Sequence, residues 1–245
     1  MASSKAPEIK AVFIKTRNVR NFEEMVRTLD LARGKGRFGA VVGRAGRGKT
    51  DTSIFFASNQ GWPRLAVSIL WQSSDTEFLR AMCRELGEKE PPRNKARCYG
   101  LIIDHLAGKH KPFVLDEADK LSQRHLEIVR EITNVTGAPF ILLGEEELEF
   151  LLQRNRRVWS RIYQKVDFEG IGPADIMGFV SAASGLKLEP ETALLWEEQS
   201  GGDFRLVDRD LRAAVHYCHA AGGREITPEV LKAVWQTVLS GSGRK

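Results

Sequence analysis

A glycine-rich stretch limits what this chain can fold into more than any other feature of the sequence. It reads Gly43-Arg44-Ala45-Gly46-Arg47-Gly48-Lys49-Thr50 and fits the Walker A pattern G-x-x-x-x-G-K-[ST]. In this pattern backbone N–H groups at the start of a helix surround phosphate oxygens. The stretch follows the apolar run "RFGAVV" and precedes a helical pattern over residues 49–60, as phosphate binding by a strand, loop and helix requires.

We therefore predict that ATP binds against this loop. Lys49 is expected to contact the terminal phosphates, and the Thr50 hydroxyl to hold Mg²⁺. The remaining predicted nucleotide-binding residues are Gly43, Arg44, Ala45, Gly46, Arg47, Gly48 and Asp51.

A second motif, "PFVLDEAD" over residues 112–119, is an apolar strand that ends in acidic residues. In an α/β sheet such a strand delivers its last side chains to the edge where ligands bind. We expect Asp116 to hold Mg²⁺ and Glu117 to act as general base toward the attacking water. The alternative is that Asp116, Glu117 and Asp119 only cap the next helix, where acidic residues are favourable.

Strand and helix patterns alternate five times between residues 37 and 170, which predicts an α/β fold with a five-stranded parallel sheet between helices. Within it we expect a helix capped by Asn21 and a strand over residues 64–70. From Pro173 onward only helical signals occur. The predicted domains are a basic flexible leader (1–20), an α/β nucleotide-binding domain (21–170) and a four-helix lid (171–241).

The charge distribution and the composition limit the kinds of binding partner that we expect. Of the net charge of +5, residues 1–50 carry +8 and the remaining residues carry −3. This asymmetry favours a polyanionic partner, although a solvated tail would give the same pattern. No apolar run is long enough for a membrane helix, so we expect a cytoplasmic protein without a membrane partner. Three cysteines without C-x-x-C spacing give no support for a disulfide framework or a zinc site.

The order of loop, acidic strand, fifth strand and helical lid resembles the AAA+ ATPases over residues 20–240. That resemblance implies that Arg161, in "RRVWSRIYQKVDF", enters the nucleotide site of a neighbouring subunit. Arg154, Arg156 and Arg157 are competitors for this role, and a solvated basic helix is the structural alternative.

The resemblance also implies two further positions around the nucleotide. Arg205, after the Gly-Gly turn, matches the AAA+ arginine that senses the γ-phosphate from the lid, with a surface ion pair to Asp203 or Asp208 as the alternative. After "FILL" the family has a polar sensor, whereas this chain has Gly144 and Glu145. Either Glu145 substitutes for that sensor or the sensor is weak, and slow hydrolysis would follow.

Within the AAA+ ATPases, the segments "VVGRAGRGKT", "VLDEAD" and "ILLGEEEL" are most similar to the transposition ATPases of the phage Mu B type. That similarity implies double-stranded DNA, a transposase and further copies of the chain, in a ring or helical filament, as partners. A helicase loader or replication initiator is the alternative, and a small-molecule kinase fits a helical lid poorly. Candidate DNA contacts, for which plain solvent exposure is the alternative, are Arg93, Lys95, Arg97, Lys120 and Arg124.

Overall fold

The computed structural model describes residues 9–31 and 37–241 of the 245-residue chain. The α-helices in these ranges are α1 (Arg17–Leu31), α2 (Lys49–Gln60), α3 (Asp75–Glu85), α4 (Lys95–Leu106), α5 (Gln123–Thr136), α6 (Glu146–Arg154), α7 (Arg156–Trp159), α8 (Pro173–Ser184), α9 (Pro190–Ser200), α10 (Phe204–Ala221) and α11 (Pro228–Gly241). The strands are β1 (Phe38–Val42), β2 (Arg64–Ala66), β3 (Phe113–Asp116), β4 (Phe140–Gly144), β5 (Ile162–Asp167), β6 (Lys187–Leu188) and β7 (Glu225–Ile226). None of the described helices is long and apolar enough to cross a membrane.

The chain divides into two compact units. The core unit is Asn18–Phe168, and the helical unit combines the described residues 169–241 and 9–17. Strands β1 to β5 form a single parallel sheet in the core unit, in the order β2-β3-β4-β1-β5. The predicted α/β fold with a five-stranded parallel sheet is confirmed.

The three central strands are apolar along their whole length because both of their faces are covered. Every residue of β1, β3 and β4 is buried, as expected for a parallel sheet between helices. Phe113 and Phe140 stack across β3 and β4 with ring centroids 5.4 Å apart. The sheet is therefore a rigid support for the loops that follow these strands.

Several helix boundaries in the core unit are set by capping residues that can be recognised in the sequence. Ser122 caps α5 by accepting a hydrogen bond from the His125 N–H, and Gly137 ends it in a left-handed conformation. Gly61 ends α2 in the same way, and Asn94 caps α4. These caps fix where α2, α4 and α5 begin or end relative to the sheet.

The helical unit packs around its own core, in which the Trp196 side chain is fully buried. It contains the four expected helices, α8 to α11, together with a short parallel ladder between β6 and β7. The prediction of helices alone was therefore wrong at residues 187–188 and 225–226. Two-residue strands carry too little periodicity to be recognised from sequence.

The N-terminal segment differs from the flexible leader expected over residues 1–20. Residues 1–8 lie outside the described residues. From Ile9 onward the segment belongs to the helical unit, since Ile9, Val12 and Ile14 pack against its core and the Lys10 N–H donates to the Ala183 carbonyl at 3.0 Å. Helix α1 begins at Arg17, so Asn21 lies inside it and does not cap it.

The strand predicted over residues 64–70 is shorter in the structure. Strand β2 ends at Ala66, and Ile69–Trp71 form a 3-10 turn whose Leu70 N–H bonds to the Ser68 hydroxyl. The prediction failed because apolar residues at positions 69 and 70 are typical of a strand, whereas in the structure Ile69 and Leu70 are exposed. Local side-chain capping by serine outweighs strand propensity here.

Gly202 in the helical unit provides a test of the packing. Its φ is +68°, and a Cβ atom there would lie 2.7 Å from the Gly170 Cα. We expect Gly202→Ala to lower the free energy of unfolding by about 2–4 kcal/mol, through backbone strain and overpacking. Urea unfolding followed by circular dichroism measures this change.

Gly178 supplies the matched control, because it lies inside α8 and a Cβ there would meet no atom within 4 Å. Gly178→Ala should stabilise the protein by about 0.5–1 kcal/mol, since alanine loses less backbone freedom in a helix. Equal unfolding midpoints for the two variants would contradict this description of the Gly202 turn.

Candidate nucleotide site

The parallel register brings the predicted phosphate loop and the predicted acidic residues to one edge of the sheet. Val42 of β1 pairs with Gly144 of β4, and the Gly43 N–H donates to the Gly144 carbonyl at 3.3 Å. Leu115 of β3 pairs with Leu142 of β4, so Asp116 follows at the same edge. The site is thus built from the carboxyl ends of three neighbouring strands, with β4 in the middle.

The phosphate loop adopts a backbone that only glycine accommodates easily. Gly46 and Gly48 have φ values of +77° and +81°. A Cβ atom on Gly43 would lie 2.4 Å from the carbonyl oxygen of Phe168, the residue directly after β5. The glycines of the motif therefore serve the turn itself and a close backbone approach.

Lys49 lies folded over the loop that it is expected to serve. Its ammonium donates to the carbonyl oxygens of Gly43 and Arg44 at 2.5 and 2.9 Å, and the residue is buried. A buried ammonium needs acceptors, and these carbonyls supply them. The geometry holds the Lys49 charge inside the loop, where phosphate oxygens would take over the same role.

Asp116 and Glu117 occupy different environments. The Asp116 side chain is only 3% exposed, and one of its oxygens accepts from the Glu117 N–H at 2.9 Å. Glu117 is exposed, and among the described residues it is the only non-glycine residue with a positive φ, at +55°. Such a backbone costs about 1–3 kcal/mol and clusters at functional sites.

The Glu117 carboxylate is held by a neighbouring cation. The Lys120 ammonium donates to it at 2.5 Å, and this hydrogen bond raises the pKa of Lys120. The sequence prediction placed Lys120 among the DNA contacts, whereas the structure brings it to the predicted general base. A lysine three residues after Glu117 is the signal that could have indicated this pair.

Two residues, Arg64 and Asp119, were not predicted from the sequence to make the contacts that the structure shows in the site. Arg64 donates to the Asp116 carboxylate at 2.5 Å and to the Ser53 hydroxyl at 2.8 Å. Asp119, considered only as a helix cap, accepts from the Glu145 N–H at 3.1 Å. A Cβ on Gly144 would lie 2.6 Å from that carboxylate, so the glycine in the expected sensor position makes room for Asp119. No hydrophobic periodicity marks such contacts.

The donor set suits Mg²⁺ as the nucleotide's metal. The Thr50 hydroxyl and an Asp116 carboxylate oxygen are hard oxygen donors, and Mg²⁺ typically binds one or two such groups together with phosphates and water. Within residues 9–31 and 37–241, no group of three His, Cys, Asp or Glu side chains could hold a metal by itself. The protein donors therefore fit a metal that arrives with the nucleotide.

Arg161 lies at the opposite end of the sheet from the phosphate loop. It directly precedes β5, and its carbonyl accepts from the N–H of Phe38, the first residue of β1. About 16 Å of strand then separates this point from Gly43, at the usual rise per residue. Arg161 is half-buried and donates to the Asn134 side-chain oxygen at 2.6 Å, whereas Arg154, Arg156 and Arg157 are exposed.

Arg205 is the second residue of α10 in the helical unit and is paired with Asp203, the residue that caps this helix. Its guanidinium lies 3.0 Å from an Asp203 carboxylate oxygen. Burial alone would raise the pKa of Asp203, but hydrogen bonds from Arg205 lower it below its ordinary value. The ion pair with Asp203 named as the alternative is therefore present, and a sensor role for Arg205 stays a prediction.

The remaining candidate DNA contacts are all exposed, and two of them form ion pairs. Lys95 and Arg124 both reach the Asp75 carboxylate, at 3.7 and 2.7 Å. Arg93 and Arg97 are exposed on either side of Lys95. The structure thus brings two separate segments of the chain, the start of α4 and the start of α5, to one acidic residue.

The chain is similar to several known proteins. Residues 32–152 match the AAA domain family. The chain is 26% identical over 204 residues to the Mu-like prophage FluMu DNA transposition protein B of Haemophilus influenzae, which covers 80% of this chain and 70% of that protein. It is also 26% identical to the ATP-dependent target DNA activator B of Escherichia phage Mu, over 86% of this chain and 69% of the relative.

A solved structure shows the same fold. The ORC2 protein of Aeropyrum pernix, determined in complexes with ADPNP and ADP, superposes with a TM-score of 0.64 at 15% identity. The match covers 96% of this chain and 70% of that chain. The resemblances to AAA+ proteins and to the phage Mu B type, expected from the sequence, are both confirmed.

Replacing the predicted general base tests the assignment of Glu117. Glutamine keeps the shape of the side chain but cannot accept a proton, so Glu117→Gln should lower the ATP hydrolysis rate by about 10²–10⁴-fold. Binding of a fluorescent ATP analogue should stay within about threefold of the wild type, because Lys49 and the loop are unchanged. Phosphate release and fluorescence titration measure the two quantities.

Glu146→Gln is the control, since Glu146 is an exposed glutamate in the first turn of α6. It should leave both quantities unchanged. A wild-type rate of ATP hydrolysis in Glu117→Gln, or an equal loss of ATP-analogue binding and hydrolysis, would show that Glu117 is not the base.

Proposed function

We propose that this AAA-type ATPase binds double-stranded DNA without sequence preference when ATP is bound, assembles on it as a homo-oligomer and delivers it to a transposase. The observation that supports this most is the match to proteins named for DNA transposition and target-DNA activation, over 80% and 86% of the chain. The match extends well beyond the AAA domain of residues 32–152. Nucleotide binding alone therefore does not account for it.

In this proposal the core unit binds and hydrolyses ATP at the carboxyl edge of its sheet. Lys49 leaves the carbonyls of Gly43 and Arg44 for the terminal phosphate oxygens, which offer it a stronger charge-assisted bond. Thr50 and Asp116 hold Mg²⁺, which balances charge on the phosphates when bound. Glu117 accepts the proton of the water that attacks the γ-phosphorus.

Hydrolysis is completed by a second copy of the chain. Arg161 lies about 16 Å of strand away from the phosphate loop of its own subunit, farther than an arginine side chain reaches. A guanidinium at that end of the sheet is available to the nucleotide of a neighbour, where it would stabilise charge in the transition state. Assembly and hydrolysis are then coupled, as expected for an oligomer that forms on DNA with ATP and dissociates after hydrolysis.

The DNA-binding surface is centred on the Asp75 cluster, defined here as Asp75, Lys95 and Arg124. Together the two cations carry more charge than the single carboxylate that they contact, so the cluster has a net positive charge. His125 lies 3.9 Å from Asp75, but burial lowers its pKa against the opposing effect of Asp75, so the ring is not counted among the cations of the cluster. With exposed Arg93 and Arg97 beside Lys95, the surface has the excess positive charge that DNA phosphates attract.

A helicase loader or replication initiator remains the alternative. The likeness to the Aeropyrum pernix protein, at 15% identity, supports the shared fold and no particular partner. The two functions differ in what the chain needs for ATP-dependent assembly. A transposition protein assembles on DNA alone, whereas a loader depends on a second protein ring.

Binding to a random-sequence duplex tests the proposal. With a non-hydrolysable ATP analogue at about 100 mM salt or less, we expect an ATP-dependent complex by fluorescence anisotropy, and its log affinity should fall linearly with log salt concentration. The double variant Lys95→Gln/Arg124→Gln should reduce the magnitude of this slope by about 1.8, as two phosphate contacts are lost.

Lys109→Gln is the charge-matched control for one of these changes, because Lys109 is exposed beyond the other end of α4. It should leave the slope unchanged. If no nucleotide-dependent DNA complex forms under these conditions, the proposal fails and the loader becomes the better hypothesis.

Arg161→Ala tests the role of the second copy. On DNA the variant should bind the ATP analogue within about twofold of the wild type but hydrolyse ATP about 10³-fold more slowly, since the lost charge acts in the transition state. Arg154→Ala removes an exposed arginine at the end of α6 and should hydrolyse ATP normally. Loss of nucleotide binding in Arg161→Ala would instead assign the residue to folding, through its bond to Asn134.

A further inference from the structure

Arg64 connects the two halves of the candidate nucleotide site. It is the first residue of β2, and its side chain is 19% exposed. The guanidinium donates through Nε to the Ser53 hydroxyl at 2.8 Å and through a terminal nitrogen to Asp116 Oδ2 at 2.5 Å. It therefore contacts the helix that follows the phosphate loop and the acidic strand at the same time.

The register shows how far this side chain extends to make these contacts. Arg64 pairs with Val114, and Ala66 pairs with Asp116, so Arg64 lies two positions before the carboxylate that it reaches. Ser53, its second partner, is fully buried and donates to the carbonyl of Thr50 at 2.8 Å. The planar fork of arginine makes both contacts at once, a geometry that lysine cannot reproduce.

Asp116 depends on this guanidinium for charge balance. The carboxylate is almost fully buried, and a buried charge is costly without a partner. Its other oxygen, Oδ1, accepts from the neutral N–H of Glu117. Among the described residues, Arg64 is the cation in ion-pair contact with Asp116.

We propose that Arg64 is the internal counter-ion of Asp116, and that it competes with Mg²⁺ for this carboxylate during nucleotide loading. Arg64 orients the Asp116 carboxylate before the metal arrives, and its positive charge then opposes metal binding. The pair thereby sets the free Mg²⁺ concentration at which the site accepts a metal-bound nucleotide. Arg64 is a positioning residue in this scheme, acting through Asp116.

The competition predicts the direction of change when Arg64 is neutralised. Removing a unit positive charge one carboxylate away from a divalent cation strengthens metal binding, by about tenfold even at the dielectric constant of water. A purely structural role would predict the reverse, because a disordered carboxylate binds metal less well. The two explanations thus differ in sign.

The experiment measures the apparent affinity for a fluorescent, non-hydrolysable ATP analogue over a series of buffered free Mg²⁺ concentrations. The midpoint of the Mg²⁺ dependence is the readout, so neither hydrolysis nor DNA enters the measurement. For Arg64→Gln we expect this midpoint at a free Mg²⁺ concentration at least about threefold lower than in the wild type. Arg64→Lys keeps the charge but not the fork geometry, and its midpoint should lie closer to that of the wild type than to that of Arg64→Gln.

Arg80→Gln is the matched control. Arg80 also forms a pair with a carboxylate, that of Glu77, and its side chain is 21% exposed, close to the value for Arg64. The Arg80→Gln variant should bind the ATP analogue with the same Mg²⁺ midpoint as the wild type. Arg64→Met, in which an apolar side chain replaces the packing of the arginine stem, takes the place of Arg64→Gln if that variant does not fold.

An unchanged or higher Mg²⁺ midpoint in the neutral variant would overturn the proposal. A midpoint for Arg64→Lys as low as that of the neutral variant would also overturn it, because charge would then not be the cause. Failure of the DNA-binding proposal would leave this result unaffected, since the measurement depends on nucleotide loading alone.

Discussion

The parallel pairing of β1 with β4 is the constraint on which the rest of the site depends. This pairing places the carboxyl ends of the two strands side by side, so that the Gly43 N–H donates to the Gly144 carbonyl. Strand β3, on the far side of β4, then delivers Asp116 to the same edge. Residues that are more than 70 positions apart in sequence meet because parallel strands end together. A slip of this register would separate the phosphate loop from its acidic partners.

The same parallel order separates Arg161 from the phosphate loop of its own chain. Arg161 lies where β5 begins, and Gly43 lies where β1 ends, so the length of a strand lies between them. One subunit therefore contains the loop and the acids at one edge and an arginine at the other. In the proposed assembly these two edges meet between copies, so that ATP hydrolysis depends on the same contact that builds the oligomer.

Much of the fold was predictable from sequence because it rests on local patterns. The strand before Gly43, the helix after Lys49 and the caps at Ser122 and Gly137 all follow from short-range chemistry. The ion pairs around the site were not predictable. Arg64 reaches Asp116 from another strand, and Lys95 and Arg124 meet only at Asp75, because the sheet and its helices bring distant segments together.

Mixing two inactive variants tests the shared site most directly. Arg161→Ala copies keep an intact phosphate loop and general base, and Glu117→Gln copies still bind ATP and keep an intact Arg161, so neither should hydrolyse ATP alone. On DNA, an equimolar mixture should recover about a quarter of the wild-type rate if subunits assemble at random and each site joins the loop of one copy to the arginine of the next. Hydrolysis by Arg161→Ala alone at the wild-type rate, or a mixture as inactive as its components, would contradict the account.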